Sequence, residues 1–277
     1  MMRKIIMKTL CVCVMALLAL PSGGGQCFAN IDIVGDLTYR FNVSPGQEVR
    51  GQIAIRNYSK EESVQVSINQ NDYHCYADGR NEYPSPGSHN RSNALWMALS
   101  PRQLIIPPDS IGTFEYVICT PKEESLRGTY WSLIIVEPIG QERLQVPDGS
   151  KEDMAYNVTT VFKYAIQMIT DVGTSGVQEI QFIDKRLRTV EGMPVLDLDI
   201  ENTGERVIRP VVWAELYDQQ GNQAGKFEGG RRWIYPGSSC RFEIPLKGIK
   251  PGDYKVLLVA DGGEDEAFGA QYALVVK

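Results

Sequence analysis

The sequence predicts an all-β protein made of two β-sandwich domains in tandem. Three observations lead there. The hydrophobic pattern has a period of two almost throughout, as in Val64-Gln65-Val66-Ser67-Ile68 and Leu196-Asp197-Leu198-Asp199-Ile200, which sends alternate side chains to opposite faces of a strand. Turn-forming clusters divide the chain at short intervals, among them Ser44-Pro45-Gly46, Asp78-Gly79, Pro107-Pro108-Asp109, Asp218 to Asn222, Pro236-Gly237 and Pro251-Gly252. Finally, three local features recur in the same order in each half, which is why two domains are expected rather than one.

The first repeated feature is a strand ending in Ile-x-Asn before a polar turn: Ile55-Arg56-Asn57 and Ile200-Glu201-Asn202. The second is an apolar strand end, a proline turn and a new strand: Ile105-Ile106-Pro107-Pro108 before Phe114 to Cys119, and Ile234-Tyr235-Pro236-Gly237 before Phe242 to Leu246. The third is Gly-x-Tyr opening an apolar strand, at Gly128-Thr129-Tyr130 and Gly252-Asp253-Tyr254. In immunoglobulin-like sandwiches a tyrosine in this position packs on the core and bonds the backbone at a strand corner, and the glycine permits the tight turn. Residues 30–172 and 173–277 are therefore read as two immunoglobulin-like sandwiches. Their boundary is expected in Thr170 to Gly176, where Gly173, Ser175 and Gly176 cluster.

The strands expected in the first domain are Asp36 to Val43, Glu48 to Asn57, Ser63 to Tyr73, Trp96 to Ile106, Gly112 to Thr120, Gly128 to Glu137 and Tyr156 to Ile169. Two polar segments interrupt them, Asn71 to Asn93 and Gly140 to Asp153. The second domain is expected to run on without comparable insertions, through Gln178 to Val190, Pro194 to Glu201, Val207 to Tyr217, Gly230 to Tyr235, Ser239 to Leu246, Tyr254 to Ala260 and Gln271 to Val276.

Residues 1–29 read as a signal peptide. Arg3, Lys4 and Lys8 precede the apolar run Leu10 to Leu20, which is short for a membrane span of about 20 residues. Pro21 and Gly23 to Gly25 end the run, and Cys27-Phe28-Ala29 places small residues for cleavage after Ala29. A periplasmic or extracellular location follows, with no membrane span in the mature chain. The net charge of -6 and the scattered basic residues argue against nucleic acid as a partner.

Cleavage leaves Cys75, Cys119 and Cys240, an odd number that excludes a complete disulfide framework. Cys75 and Cys119 fall in one domain, and an oxidising compartment permits a bridge between them. The alternative is three small buried hydrophobes. No metal site or cofactor is expected: there is no CxxC, and His74 and His89 are the only histidines.

No catalytic constellation is found. His74 and Cys75 are neighbours on an expected strand and point to opposite faces. Asp197 and Asp199 are expected on the outer face of a half-buried strand. Glu264-Asp265-Glu266 reads as a solvated hairpin tip rather than a calcium loop. Asn42, Asn57, Asn90 and Asn157 head Asn-x-Ser/Thr triplets. Arg40, Arg50, Arg56 and Lys163 lie in expected strands of the first domain, where a cation facing an interdomain cleft would bind a peptide carboxylate. The last strand of that domain, if it lies at a sheet edge, would accept a strand from a partner.

Several motifs carry a family resemblance: Phe41-Asn42-Val43-Ser44-Pro45-Gly46, the strand to Ile55-Arg56-Asn57, Leu99-Ser100-Pro101, Leu104 to Pro108, Cys119-Thr120-Pro121, Gly128-Thr129-Tyr130 and Phe162-Lys163-Tyr164-Ala165-Ile166. Over about 140 residues this part of the chain resembles the N-terminal domain of the PapD-like periplasmic pilus-assembly chaperones. It is also similar to the WxL-interacting cell-surface proteins. The insertion Asn71 to Asn93 is not typical of the chaperones. The resemblance implies a protein partner, a fibre or adhesin subunit. Its C-terminal carboxylate would be anchored by a basic pair, for which Arg40 and Lys163 are the nearest matches. Its sheet would be completed by the last strand of the domain, with Phe162, Tyr164 and Ile166 facing it, and Gly140 to Asp153 would form a mobile loop ahead of that strand.

Two function classes are weighed above an enzyme. One is a chaperone-like protein for surface fibres, acting by strand addition. The other is a cell-surface adhesion module for peptidoglycan, glycan or protein. The first expects Arg40 and Lys163 in the cleft. The second expects Tyr73, Tyr76, Tyr83 and Trp96 to form an exposed aromatic patch.

Overall fold

The computed structural model describes residues 31–139, 162–263 and 266–277. The expected leader with its cleavage point after Ala29, the segment Gly140 to Asp153, Asn157 and the tip residues Glu264 and Asp265 lie outside the described residues. So does the first part of the expected strand Tyr156 to Ile169. Among the described residues no helix is long and apolar enough to cross a membrane.

The strands of the first half are β1 (Ile31–Val34), β2 (Thr38–Val43), β3 (Glu48–Asn57), β4 (Val64–Asn71), β5 (His74–Cys75), β6 (Asn81–Glu82), β7 (Met97–Ser100), β8 (Gln103–Ile106), β9 (Ile111–Cys119), β10 (Gly128–Ile139) and β11 (Tyr164–Val172). Those of the second half are β12 (Ile180–Val190), β13 (Met193–Asn202), β14 (Val211–Tyr217), β15 (Gln223–Arg231), β16 (Ser239–Pro245), β17 (Gly252–Gly263) and β18 (Glu266–Val276). The first sandwich pairs a sheet of order β1-β3-β9-β7 with one of order β2-β11-β10-β4-β8. The second pairs β12-β13-β16 with β15-β14-β17-β18.

The cores follow from the period-two pattern. Ile53, Ile55, Val66, Ile68, Phe114, Ile118, Ile134 and Val136 meet between the first two sheets. Leu196, Leu198, Ile200, Leu216, Phe242, Val256 and Leu258 meet between the second two. Burying each such aliphatic or aromatic side chain contributes about 1.5–3 kcal/mol.

The structure departs from the expected strands at places with a physical cause. The expected first strand Asp36 to Val43 is β2; a further strand that was not expected, β1, precedes it in the other sheet, and the chain turns between the two at Gly35 with φ +117. The expected strand Trp96 to Ile106 is two. Pro101 has no N–H to extend a ladder, and the chain passes there from β7 in one sheet to β8 in the other. Thr170, placed in the boundary by the sequence, is fully buried inside β11. The fourth strand of the second half is Gln223–Arg231, earlier than expected. It is a polar edge strand whose apolar contact is Phe227, so no hydrophobic alternation announced it.

The repeated Ile-x-Asn has a mechanism. Asn57 is fully buried, and its amide donates to the carbonyls of Glu62, Ile106 and Pro107 at 2.9, 3.0 and 3.1 Å while its Oδ1 accepts from Ser59 N. Asn202, also buried, donates to the carbonyls of Arg206 and Ile234 at 2.8 Å each, and accepts from Gly204 N. In each sandwich one asparagine thus ties a polar turn to the strand end before the proline turn. The first two repeated features are two sides of one contact. The third is met at Tyr254, whose hydroxyl donates to Lys250 O at 2.9 Å. Tyr130 is buried against Trp96, with rings 4.5 Å apart. Because Asn57 is sealed inside, it is not a glycan acceptor in the folded chain, whereas Asn42 and Asn90 are exposed.

The insertion after β4 is ordered by a buried carboxylate. Asp72 accepts from Ser88 N, His89 N and Ser92 Oγ at 2.6, 3.2 and 2.5 Å. His89 lies between Trp131 and His74, with ring centroids 4.6 Å from each. Burial pushes its pKa down to about 4 despite Asp72 nearby. The small hairpin β5–β6 leaves its own sandwich and delivers Cys75 into the core of the other. Ala77 N donates to Ser239 Oγ at 3.0 Å beside it.

Between the sandwiches, Trp131 and Ile169 pack on Val207 and Tyr235, and the rings of Trp131 and Tyr235 stack at 4.9 Å. Thr129 N donates to Glu205 O at 2.8 Å, and Val207 N donates to Thr129 Oγ1 at 2.9 Å. Tyr235 Oη donates to Gln167 Oε1 at 2.7 Å. Gly128 is required here: a Cβ on it would lie 2.2 Å from Glu205 O.

Two outcomes follow. Asn57→Ala and Asn202→Ala each strand several buried backbone groups and are expected to cost about 3 kcal/mol, read from urea unfolding of each variant. For His89, a folded pKa of about 4 against the ordinary 6.5 means its contribution is complete above pH 6.5. That contribution is lost as pH falls toward 4, since the unfolded chain takes up the proton first. His89→Phe is expected to flatten this part of the stability profile relative to the parent chain.

Candidate functional site

The candidate site is the cleft where the two sandwiches meet. It has a volume of about 1060 Å³, and Arg40, Arg206, Arg209, Arg231 and Trp233 line it. Arg40 stands on β2, which runs parallel to β11 and pairs Arg40 with Ile169. Its Nε donates to Asp171 Oδ2 at 2.5 Å, and the side chain stays 40% exposed. Asp171 is fully buried at the end of β11; Thr129 Oγ1 donates to it at 2.5 Å and Arg206 lies 3.7 Å away. Arg206 also donates to Gly173 O and Ser175 O at 3.3 and 3.0 Å. Trp233 is flanked by two guanidinium groups, Arg40 at 5.4 Å and Arg209 at 5.1 Å from its ring centre.

A buried carboxylate that accepts from Arg40 and Thr129 and lies beside Arg206 holds these groups in place, and the arginines of the cleft outnumber the carboxylates Asp171 and Glu266. Guanidinium groups fixed in this way suit a carboxylate ligand, because their fork geometry matches its two oxygens.

The other expected site residues are placed differently. Lys163 lies just before the far end of β11, where Tyr164 pairs with Val136, and it bonds Glu137 Oε1 at 2.6 Å. The cleft is at the opposite end, where Val172 pairs with Gly128. Lys163 and Arg40 therefore do not form a basic pair: Arg40 stands on β2 opposite Ile169, and about 20 Å of β11 lies between Ile169 and Lys163. Arg50 pairs with Glu48, and Arg56 pairs with Asp109 over the ring of Tyr58. Ile166 is fully buried in its own core, and Tyr164 packs on that core while its hydroxyl donates to Ile31 O at 2.7 Å. Neither faces outward to a partner. Phe162 is exposed, at 43%.

Among the described residues β11 is covered only in part. β2 pairs with Gln167 to Val172, and Gln167 N donates to Leu37 O. β1, the strand before it in the chain, pairs with β3 in the other sheet. Among the described residues no strand lies beside Tyr164, Ala165 and Ile166 on the side away from β10. Since Gln167 N points to that side, the period of two sends the backbone groups of Ala165 and Lys163 there too.

The chain has been compared with known proteins. No family model matches it, and no curated protein does. Among solved structures it is similar to the class 5 fimbriae chaperone CfaA, at 12% identity and TM-score 0.45, covering 90% of this chain and 100% of that one. It is also similar to the E. coli chaperone DraB, at 14% identity and TM-score 0.41, covering 87% and 95%. A third is a chaperone–tip subunit complex of the Csu pili of Acinetobacter baumannii, at 13% identity and TM-score 0.43, covering 88% and 98%.

Of the aromatic patch expected of an adhesion module, Tyr73 and the exposed Tyr83 stack at 5.6 Å, while each of the others packs on a different neighbour. Tyr73 packs edge-on against Tyr235, Trp96 packs on Tyr130, and Tyr76 lies under Arg80. Cys75 does not meet Cys119: Cys75 is buried against Cys240, and Cys119 is exposed on β9 near Glu48. The hairpin β5–β6 carries Cys75 away from its own sandwich, which sequence position alone did not reveal. Asp197 and Asp199 are buried under Arg186, Arg188 and Arg241, with contacts of 2.6–3.3 Å, rather than free on an outer face.

Sequence reasoning missed Arg206, Arg209, Arg231 and Trp233, which reach the cleft from separate turns and strands of the second sandwich. Asp171 had a signal, as the single charge in the run Tyr164-Ala165-Ile166-Gln167-Met168-Ile169-Thr170-Asp171-Val172.

Asp171→Ala removes the counter-ion of two arginines and is expected to cost about 3 kcal/mol or more. Lys163→Ala breaks an exposed pair and is expected to cost about 1 kcal/mol or less. Urea titrations of both variants check the contrast.

Proposed function

We propose that this chain is a non-catalytic, extracytoplasmic chaperone-like protein for subunits of a surface fibre or adhesin. It acts by β-strand addition along the open half of β11, and the subunit's C-terminal carboxylate sits in the arginine cleft at Arg40. The half-covered strand is the observation that carries this reading. Its open edge ends where β2 begins, at the pair of Gln167 with Thr38. Arg40 stands two residues further along, about 7 Å at the rise of a strand. Strand and anchor are thus in line.

An added strand takes its main-chain hydrogen bonds from the outward groups of Lys163 and Ala165, which supply affinity without sequence. Phe162 adds exposed apolar surface at the start of the edge. Arg40 acts as the anchor, with Arg206, Arg209 and Arg231 supporting the positive field; Lys163 has no part in it. The leader read at residues 1–29 supports the extracytoplasmic setting.

The test is a pull-down with the chain as bait from an extracytoplasmic extract of its source, with the retained subunit identified and quantified. Arg40→Ala is expected to reduce its recovery about tenfold or more, since truncating one side of a charge-assisted pair costs about 2–5 kcal/mol. Ala165→Pro removes an outward N–H and leaves the β10 ladder intact, so it is expected to abolish retention while the chain stays folded by circular dichroism. Lys163→Ala is expected to retain the subunit like the parent chain. Parental recovery by Arg40→Ala would remove the anchor, and by Ala165→Pro the strand addition.

A further inference from the structure

We propose that Cys75 and Cys240 form a disulfide that joins the two sandwiches. The two sulfurs lie 3.8 Å apart, across a chain separation of 165 residues, and both side chains are buried. Cys75 stands on the hairpin β5–β6, which belongs by sequence to the first sandwich. Cys240 stands on β16 of the second, beside the bond from Ala77 N to Ser239 Oγ. A disulfide needs the sulfurs at about 2.05 Å. The short hairpin, held at its base by Tyr73 and Trp131, has to shift by less than about 2 Å to reach that.

The surroundings suit the chemistry. Cys75 and Cys240 line a pocket of about 560 Å³ open at the surface between hairpin and sandwich, together with Tyr73, Arg232, Trp233 and Tyr235. A small disulfide has access there. The contact with Cys240, helped by Arg232, draws the Cys75 pKa down to about 7, and the contact with Cys75 together with burial pushes that of Cys240 up. Cys75 is the attacking thiolate.

With glutathione disulfide as oxidant, the Cys75 thiolate attacks one of its sulfurs and forms a mixed disulfide, releasing a glutathione thiolate. Cys240 then loses its proton and attacks the Cys75 sulfur, releasing the second glutathione. Two protein thiols become one disulfide, one glutathione disulfide becomes two glutathione thiols, and the two protons end on the released thiolates. Cys119 takes no part: it is exposed on the opposite sheet of the first sandwich, near Glu48.

Joined sulfurs would close the hairpin permanently on the second sandwich and set the opening of the arginine cleft, because Trp233 lines both that cleft and the cysteine pocket. The pairing itself depends on no assumption about a partner, so its failure leaves the proposed function untouched, and the reverse holds too.

The test uses the full chain, equilibrated with glutathione disulfide, denatured, alkylated and digested with trypsin without reduction. Mass spectrometry is expected to show residues 61–80 joined to residues 233–241, the two tryptic peptides that hold Cys75 and Cys240, in more than half of the chains. The Cys119 peptide is expected to be alkylated. Dithiothreitol is expected to abolish the joined species and to lower the thermal unfolding midpoint of the parent chain. Cys119→Ser is expected to form the same joined peptide, and this control does not touch the interface. Alkylation of both Cys75 and Cys240 in most chains, or a link from Cys75 to Cys119, would overturn the proposal.

Discussion

The buried carboxylate of Asp171 is the point on which the arrangement of the two sandwiches turns. It sits at the end of β11, where the first sandwich gives way to the second, with no exposed surface of its own. A charge in that position is tolerated because it is surrounded by donors. Thr129 comes from β10, Arg40 from β2 and Arg206 from the second sandwich. One carboxylate therefore fixes the end of the central sheet, the floor of the cleft and the direction in which the second sandwich departs. Thr129 adds to this by accepting from Val207 N with the oxygen whose proton it gives to Asp171.

Around that point the two halves share more than a linker. Two connected sandwiches with only a hinge between them would move independently. Here Trp131 and Tyr235 stack, Gly128 lies against Glu205 without room for a Cβ, and a hairpin from the first half fills part of the second core. The insertion after β4, which looks in sequence like a polar excursion, is the element that reaches furthest across. Its own polar groups are turned inward on Asp72, which frees Cys75 and Ala77 to pack on the neighbour.

The fold was legible in the sequence because its signals are local. Alternation, proline turns and the doubled asparagine each report on a few adjacent residues, and Asn57 and Asn202 show that the repeat had a contact behind it. The site was legible only in part. Arg40 was found because it stands on an early strand beside a recognisable motif. Lys163 was misplaced because a strand of nine residues has two ends, and sequence spacing did not say which one meets the second sandwich. Ile166 and Tyr164 were read as outward residues; alternation shows that they share a face, but which face is inward is decided by the partner sheet. The cysteine pairing and the C-terminal arginines depend on where a hairpin and several distant turns come to rest, and such long-range placement has no local signature.

The half of β11 that no other described strand covers also bears on the solubility of the protein alone. An open strand edge attracts any other chain with unpaired backbone groups, copies of itself included. Here the exposed stretch is short, β2 closes it at Gln167, and it begins at a lysine anchored by Glu137. Two copies meeting edge to edge would bring two such lysines together and gain only a few hydrogen bonds. Lys163 stands at the start of that edge, a charged residue of the kind that blunts strand edges in general.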